Sequence, residues 1–577
     1  MGGTRALLLT AAVLLATAAV AASPADARNK GGRPNVLILE TDDQTLESMR
    51  VMPTVRRLLG DEGVTFDNSF VSYALCCPSR STLLTGQYAH NHGVFGNVFP
   101  TGGYYKLDSS NTLAVWLQDA GYRTMHLGKY LNQYGTRNQT EIPPGFDEWY
   151  GSVDPSTYRF YGYTLNENGR LVTYPSDPAH YQTDVYARKA SDLISRRAKG
   201  RRPFFLWTAF LAPHSGIPTD ESDDPRGLAT PEPAPRHKDR FAAEPLPKPP
   251  SYNELDVSDK PVRVRNRPLI TPAREADIRD NYQQRLESLL AVDEGIGRIL
   301  SALRATGELD DTLVVFTSDN GFYHGEHRIQ NGKILPYEQG IRVPLIIRGP
   351  GARRGLRLSQ LVSNQDLAAT ILDAARARPR RRLDGHSLLP LMRSPRVELG
   401  RDLLVEGVTG SRPPISFAGV RSRSFFYNEW SNGERELYDL TLDPDELQNR
   451  VTDPAYAAIR SSLAARLLRL RTCRGRTCLA HPRLRVLLRY RVGRTADGKR
   501  CALGRVRAGI RGADRGLVES AAFYVNGHRL ERGVRGRLRV TIPRRRLHPG
   551  GTNTVRAVAS LSDDRVYTPV ARVRRCG

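Results

Sequence analysis

The residues able to do chemistry fall into a few short stretches. Residues 74–86 read ALCCPSRSTLLTG, which sets Cys76 and Cys77 beside Pro78, Ser79 and Arg80 at what reads as a helix entrance. Asp42 and Asp43 follow the apolar run NVLILE (35–40), and Asp319 and Asn320 follow TLVVFTS (312–318). YRTMHLGK ends on Lys129, and FFLWTAFLAP delivers His214. Three carboxylates and an amide oxygen in one pocket repel unless a cation sits among them, and an all-oxygen set favours Ca²⁺ or Mg²⁺ over zinc. The larger coordination number and looser geometry of Ca²⁺ make it the expected ion. A nucleophilic thiolate would need a lowered pKa, which Arg80 could supply. The carboxylates and their cation suit a hydroxyl-type nucleophile better. Each piece also has an ordinary explanation: an Asp-Asp turn or cap, two buried small residues, a structural histidine, a solvated lysine.

These residues converge only if the chain folds as an open α/β sheet, where ligands bind at the carboxyl ends of the strands. From Pro34 to about Ala375 short apolar runs alternate with amphipathic segments, the α/β pattern. NVLILE, YRTMHLGK, FFLWTAFLAP, TLVVFTSDN and VPLIIRGP (343–350) read as buried strands. NTLAVWLQDAG reads as a helix with Asn111 as cap and Gly121 as stop. A longer helix runs from about Asp280 to Ala305, with Tyr282, Leu286, Leu289, Ile296, Leu300 and Leu303 in period and Gly307 ending it. Residues 215–272, rich in proline and charge, read as a surface excursion, a candidate substrate-side loop.

The 577 residues exceed one ordinary core, so two or three domains are expected. Arg5, an apolar alanine- and leucine-rich run and SPADA predict a cleaved signal peptide over residues 1–27, hence secretion, and no later stretch is long and apolar enough to span a bilayer. Residues 34–400 read as the α/β domain and 401–470 as a small antiparallel sheet closed by an Arg/Leu-rich helix. Residues 471–577 read as an accessory β-sandwich whose Cys473, Cys478, Cys501 and Cys576 suit disulfides. Cys473–Cys478 with Cys501–Cys576 is the preferred pairing, which sequence alone does not fix. This last segment holds 26 Arg and 1 Lys against 4 Asp and 2 Glu, a net +21 of the chain's +25. It predicts either polyanion capture or a plain structural domain with arginine-biased composition. Nucleic acid is not expected, because no aromatic-rich binding motif accompanies the charge.

Cys76-Cys77-Pro78-Ser79-Arg80 followed by Leu84-Thr85-Gly86 resembles the sulfatase signature C-x-P-S-R-x-x-x-L-T-G. The likeness extends through PNVLILETDDQ, GYRTMHLGKYLNQYG, APHS, TSDNG and GKILPYEQGIRVPLIIRGPG to LYDLTLDPDE. It is nearest the N-acetylglucosamine-6-sulfatase and heparan endosulfatase branch, through AHNHGV, IPPGFDEWYG, YGYTLNENG and Leu131-Asn132 after Lys129. One departure is Tyr323, where that branch tends to carry histidine; His324 is displaced by one.

The resemblance implies an alkaline-phosphatase-like core: a mixed, mostly parallel sheet with a small C-terminal antiparallel sheet. It implies that Cys76, with proline two and arginine four residues on, is converted to formylglycine by the formylglycine-generating enzyme. Asp42, Asp43, Asp319, Asn320 and residue 76 would hold one Ca²⁺. The hydrated aldehyde at 76, ionised with help from the metal and Arg80, would attack sulfur in line, and its second hydroxyl would expel sulfate. Lys129 and Lys333 would bind sulfate oxygens, and His214, with Lys333, would protonate the leaving alkoxide. His90, Asn91 and His92 are candidate substrate contacts. The expected substrate is a sulfated saccharide, foremost the 6-O-sulfate of a glucosamine residue. The rivals are a broad arylsulfatase, a phosphodiester or phosphonate hydrolase on the same fold, and a non-catalytic secreted polyanion-binding protein.

Overall fold

The apolar runs become the centre of a ten-stranded mixed sheet in a computed structural model. It describes residues 32–197, 200, 202–217, 228–394, 398–409, 414–479, 482–534, 536–562 and 565–577. The expected signal peptide and residues 218–227 of the 215–272 excursion lie outside this set. Asn35–Thr41 runs parallel to Phe204–Ala209 on one side and Thr312–Ser318 on the other. Arg123–Gly128 and Glu148–Ser152 extend the parallel part, followed by the hairpin Thr164–Glu167 and Arg170–Thr173. On the other edge Leu345–Arg348 and Val64–Phe66 are antiparallel to their inner neighbours, and Leu356–Leu358 lies parallel to Val64–Phe66.

Every residue of Asn35–Thr41 is buried because helices cover both faces of the sheet. Successive side chains of a strand point to opposite faces, so one strand feeds two cores. Leu37 and Leu39 pack with Leu286, Leu289, Ile296 and Leu300 of the long helix. Val36 and Ile38 pack with Leu113, Trp116 and Leu117 of the helix Leu113–Asp119, and with Leu367 and Ile371 of Gln365–Ala375.

Two helix starts differ from expectation. The long helix is Pro272–Ala305, beginning about two turns early: the Thr271 hydroxyl accepts from Arg274 N, and Pro272 stands in the first turn. That first stretch carries no buried apolar residue before Ile278, so hydrophobic period gave no sign of it. Asn111 is not a cap either; its Oδ1 accepts from Trp116 Nε1 at 2.8 Å, and Thr112 occupies the cap position.

Downstream, Leu403–Val408, Ser416–Arg421, Phe425–Trp430 and Arg435–Asp439 form an antiparallel sheet. The helix Ala457–Leu470 packs Leu463, Leu467 and Leu470 on its Leu404, Val420 and Tyr427. The accessory β-sandwich has a three-stranded sheet, Arg485–Arg494, Arg500–Arg511 and Arg539–Ile542. Its second sheet is built on Val518–Val525, His528–Val534 and Thr552–Leu561, with Val566–Tyr567 and Val570–Arg574 paired to the last of these. Their inner residues share one core. A bridge between Leu399 and Tyr567 and paired hydrogen bonds between Glu398 and Thr568 hold the sandwich to the preceding unit.

The preferred disulfides both form: Cys473–Cys478, five residues apart, and Cys501–Cys576, 75 apart. The longer loop removes more freedom from the unfolded chain. Replacing Cys501 and Cys576 with serine is expected to cost about 2–5 kcal/mol. Hydrogen exchange in Thr552–Leu561 should accelerate accordingly, whereas serines at Cys473 and Cys478 should leave that strand's exchange close to wild type.

Candidate active site

The strand tips are locked together by backbone bonds that continue past the sheet. Asp319 N donates to Thr41 O at 3.2 Å, Asp42 N to Ala212 O at 3.4 Å, and Lys129 N to Ala209 O at 3.0 Å. Four neighbouring strands thus deliver Asp42, Asp43, Lys129, His214, Asp319 and Asn320 to one end of the sheet. Asp43 takes a left-handed backbone (φ 66°), which aspartate tolerates better than most residues. Its N–H donates to Asp319 Oδ1 at 3.1 Å.

Cys76 opens the helix Cys76–Thr85, at the helix entrance expected for this stretch. All ten residues of this helix are buried, and Gly86 ends it in a left-handed conformation (φ 63°). Cys77 N donates to Asn97 Oδ1 at 3.0 Å, while the Cys77 side chain belongs to the hydrophobic core. Cys76 Sγ lies 3.5 Å from Asp42 Oδ1 and 2.8 Å from Lys333 Nζ. Lys333 is brought there by the next residue, since Ile334 N donates to Ala74 O at 2.9 Å.

Arg80 is wholly buried. Its Nε donates to Asp319 Oδ2 at 2.7 Å, Nη1 to Lys129 O at 2.9 Å, and Nη2 to Asp42 Oδ2 at 3.3 Å, with Glu40 Oε2 3.3 Å from Nη1. These contacts commit the guanidinium's hydrogen bonds to the carboxylates and the Lys129 carbonyl. Burial and then the Asp42 carboxylate push the Cys76 thiol well above its usual range, against Lys129 and Lys333. The cysteine is therefore a protonated thiol, not a thiolate.

Burial pushes Asp42 up, but Lys129, His214 and Arg80 outweigh it and bring the carboxyl to about 2. Lys129 Nζ pairs with Asp42 Oδ2 and lies 4.8 Å from the Tyr158 ring centroid. Asp43 is also lowered: burial opposes ionisation, and Lys333 and His214 overcome it. Asp43 Oδ1 pairs with Lys333 Nζ and accepts from Asn320 Nδ2 at 2.6 Å. His214 Nδ1 donates to Ser215 O at 2.6 Å, which turns Nε2 toward Asp43 Oδ2, 3.7 Å away. Burial brings His214 down to about 4, opposed by Asp42 and Asp43.

A cation fits this donor set. Ligand atoms of Asp42, Asp43, Cys76 and His214 lie within 4.8 Å of one another, and Asn320 Oδ1 is buried with no hydrogen-bond partner. An unpaired buried amide oxygen facing acidic groups is a place for a hard ion.

His90, Asn91 and His92, the candidate substrate contacts, each hold partners within the chain. His90 binds Glu406 Oε1 (2.9 Å) and Cys473 O (2.8 Å), and Asn91 donates to Asp384 Oδ2 and Cys473 O, both at 2.8 Å. His92 Nε2 meets Thr82 Oγ1 at 3.1 Å. The ten-residue helix between them carries the chain about 15 Å along its axis.

Three residues went unnoticed in the sequence. Glu40 is the last residue of the NVLILE run, and an acid closing a fully buried strand was the available signal; burial, opposed by Arg80, raises it to about 8. Asn97 gave no signal. Arg285 sits in the long helix, and its Nη2 donates to Asp43 O at 2.5 Å while its guanidinium lies 3.8 Å over Phe322. Its place three residues after Tyr282 and four before Leu289 puts it on the buried face of the helix, and an arginine on that face was the available signal.

The sulfatase family profile matches residues 34–377, and the profile of the N-sulphoglucosamine sulphohydrolase C-terminal region matches residues 325–473. An arylsulfatase of Volvox carteri is 33% identical over 521 residues, covering 82% of this chain and 79% of that protein. The N-acetylglucosamine-6-sulfatase of Homo sapiens is 32% identical over 496 residues, covering 77% and 86%. Among solved structures, one in complex with its substrate D-glucosamine-2-N,6-O-disulfate is 26% identical at a TM-score of 0.62, covering 76% of this chain and 97% of that one. With the signature cysteine at the mouth of a buried helix and relatives aligned over most of its length, the chain belongs to the sulfatase family and is a sulfuric ester hydrolase.

Proposed function

We propose that this enzyme removes the 6-O-sulfate of glucosamine-type residues in glycosaminoglycan fragments, with residue 76 converted from cysteine to formylglycine and one Ca²⁺ bound. The observation that carries it is the position of Cys76 Sγ, 2.8 Å from Lys333 Nζ and 3.5 Å from Asp42 Oδ1. Sγ stands in for an oxygen of the converted residue. The human N-acetylglucosamine-6-sulfatase and the solved protein bound to D-glucosamine-2-N,6-O-disulfate support the choice of sugar.

Asp42, Asp43, Asp319, Asn320 and residue 76 would hold the ion. When bound, Ca²⁺ would polarise a sulfate oxygen and favour ionisation of a hydroxyl at residue 76. As a hydrated aldehyde, residue 76 offers one hydroxyl for attack on sulfur and a second whose deprotonation expels sulfate and restores the carbonyl. Lys129 and Lys333 flank residue 76 with two ammonium groups, suited to the ester's sulfate oxygens and to charge growing in the transition state. Arg80 holds Asp42 and Asp319 in place. His214, anchored through Nδ1, aims Nε2 at the site; the ester's negative charge draws a proton onto Nε2, from which it passes to the departing sugar oxygen as the S–O bond breaks.

Arg285 holds the Asp43 carbonyl, and with it the left-handed turn that aims the Asp43 side chain. Action outside the cell is part of the same reading. The two disulfides suit an oxidising compartment, and no helix among the described residues is long and apolar enough to cross a membrane.

Five outcomes follow from these roles. The peptide containing residue 76 from natively produced enzyme should be about 18 Da lighter than its cysteine form; a free thiol in active enzyme would contradict the conversion. Cys76→Ala and Cys76→Ser should abolish turnover of glucosamine 6-sulfate while the circular dichroism spectrum stays native, and chelation should remove activity that Ca²⁺ restores better than Zn²⁺. His214→Ala should lower kcat by about 10²–10⁴ on the sugar ester but much less on an aryl sulfate, whose leaving group needs no proton. Arg285→Gln should raise the Ca²⁺ concentration needed for half-maximal activity, with kcat at saturating Ca²⁺ less affected.

A further inference from the structure

The outward face of the three-stranded sheet in the accessory sandwich carries Arg485, Arg489, Arg505, Arg507, Arg511 and Arg539. Two pairs face each other directly across the ladder, Arg485 with Arg511 and Arg489 with Arg507, and Arg539 lies opposite Gly509 in the third strand. The inward positions between them, Val486, Val506, Ala508, Ile510, Val540 and Ile542, fill the sandwich core. All six arginines are exposed except Arg511, which is half-buried, and among the described residues none of their side chains has an ion pair or hydrogen bond.

Like charges opposite one another on neighbouring strands destabilise a sheet. A general arginine bias does not account for the arrangement, because +21 of the chain's +25 falls in residues 471–577. Facing strands are about 4.8 Å apart and alternate outward residues about 6.8 Å apart, so the guanidinium groups form a dense field without a carboxylate in it. Guanidinium groups bind sulfate and carboxylate oxygens through paired N–H donors. The remaining outward residues, Leu487, Gly509 and Thr541, offer no aromatic ring on which a nucleic-acid base could stack.

We propose that this face is a docking track for a sulfated polysaccharide, which holds the polymer while the active site works on its sulfate esters. The choice of polymer rests on the saccharide reading of the active site. Tethering a chain with many ester groups raises their concentration at the catalytic centre without a new contact there.

The test uses the full-length enzyme, heparin, and double-stranded DNA of matched length, with affinity measured by calorimetry at graded salt. Arg489→Gln, Arg507→Gln and Arg539→Gln together should weaken heparin binding at least tenfold and flatten its salt dependence by about two to three counterions. The same triple should raise the unfolding temperature at low salt, where like-charge repulsion is relieved. A control removing equal charge elsewhere, Arg56→Gln, Arg57→Gln and Arg353→Gln, should change heparin binding little, and neither triple should alter kcat/KM on a small sulfate ester. Unchanged heparin affinity in the first triple, an equal loss in the control, or DNA binding as tight as heparin would each overturn the track. Loss of heparin binding as expected, in an enzyme that hydrolyses no sulfated saccharide, would support the track and remove the saccharide reading of the active site.

Discussion

A guanidinium shut away from water has to be matched by hydrogen bonds and charge at nearly every nitrogen, and Arg80 is matched by tips of three strands at once. Asp319, Asp42, Glu40 and the Lys129 carbonyl all converge on it. Removing one side of such a buried pair typically costs about 3–5 kcal/mol, because the partner charge is left stranded. Here the stranded charges would be the Asp42 and Asp319 carboxylates, beside Glu40. The end of the sheet closes around this cation, and the helix that carries it also carries residue 76 four positions earlier. The same turn of helix therefore fixes both the carboxylate cluster and the reactive side chain against it.

Around that fixed point the charges are layered. Lys129 pairs with Asp42 and Lys333 with Asp43, while Arg285 is tied to the Asp43 backbone. On the proposed reading, buried acids and buried cations in near balance would let the site take either a metal ion among the acids or an anionic ester among the ammonium groups. Neither arrangement leaves an isolated charge in a low-dielectric interior.

Much of this was legible because the physics that forms it is local. A strand covered on both faces must be apolar throughout, so NVLILE and TLVVFTS announced themselves, and the polar residues just beyond them had to lie at the sheet's end. What stayed hidden depends on partners distant in sequence. Arg285 bonds a carbonyl 242 residues away, and Glu40 is explained only once Arg80 is seen beside it. His90 shows the same dependence: it follows the signature closely in sequence, yet its partner Glu406 lies 316 residues on. The long helix's first turns were lost because their exposed, charged residues carry no hydrophobic period, although the Thr271-Pro272 start signal was there to read.

The burial of Cys76 has a temporal side. Its side chain has no exposure, and every other residue of its helix is buried too. The folded chain gives an enzyme no access to this thiol. If residue 76 is converted as proposed, the conversion would belong to the interval between its synthesis and closure of the sheet. That closure waits for the Thr312–Ser318 strand, more than two hundred residues later, to bring Asp319 onto Arg80. On the proposed reading, the sheet's long-range topology would set how long that interval lasts.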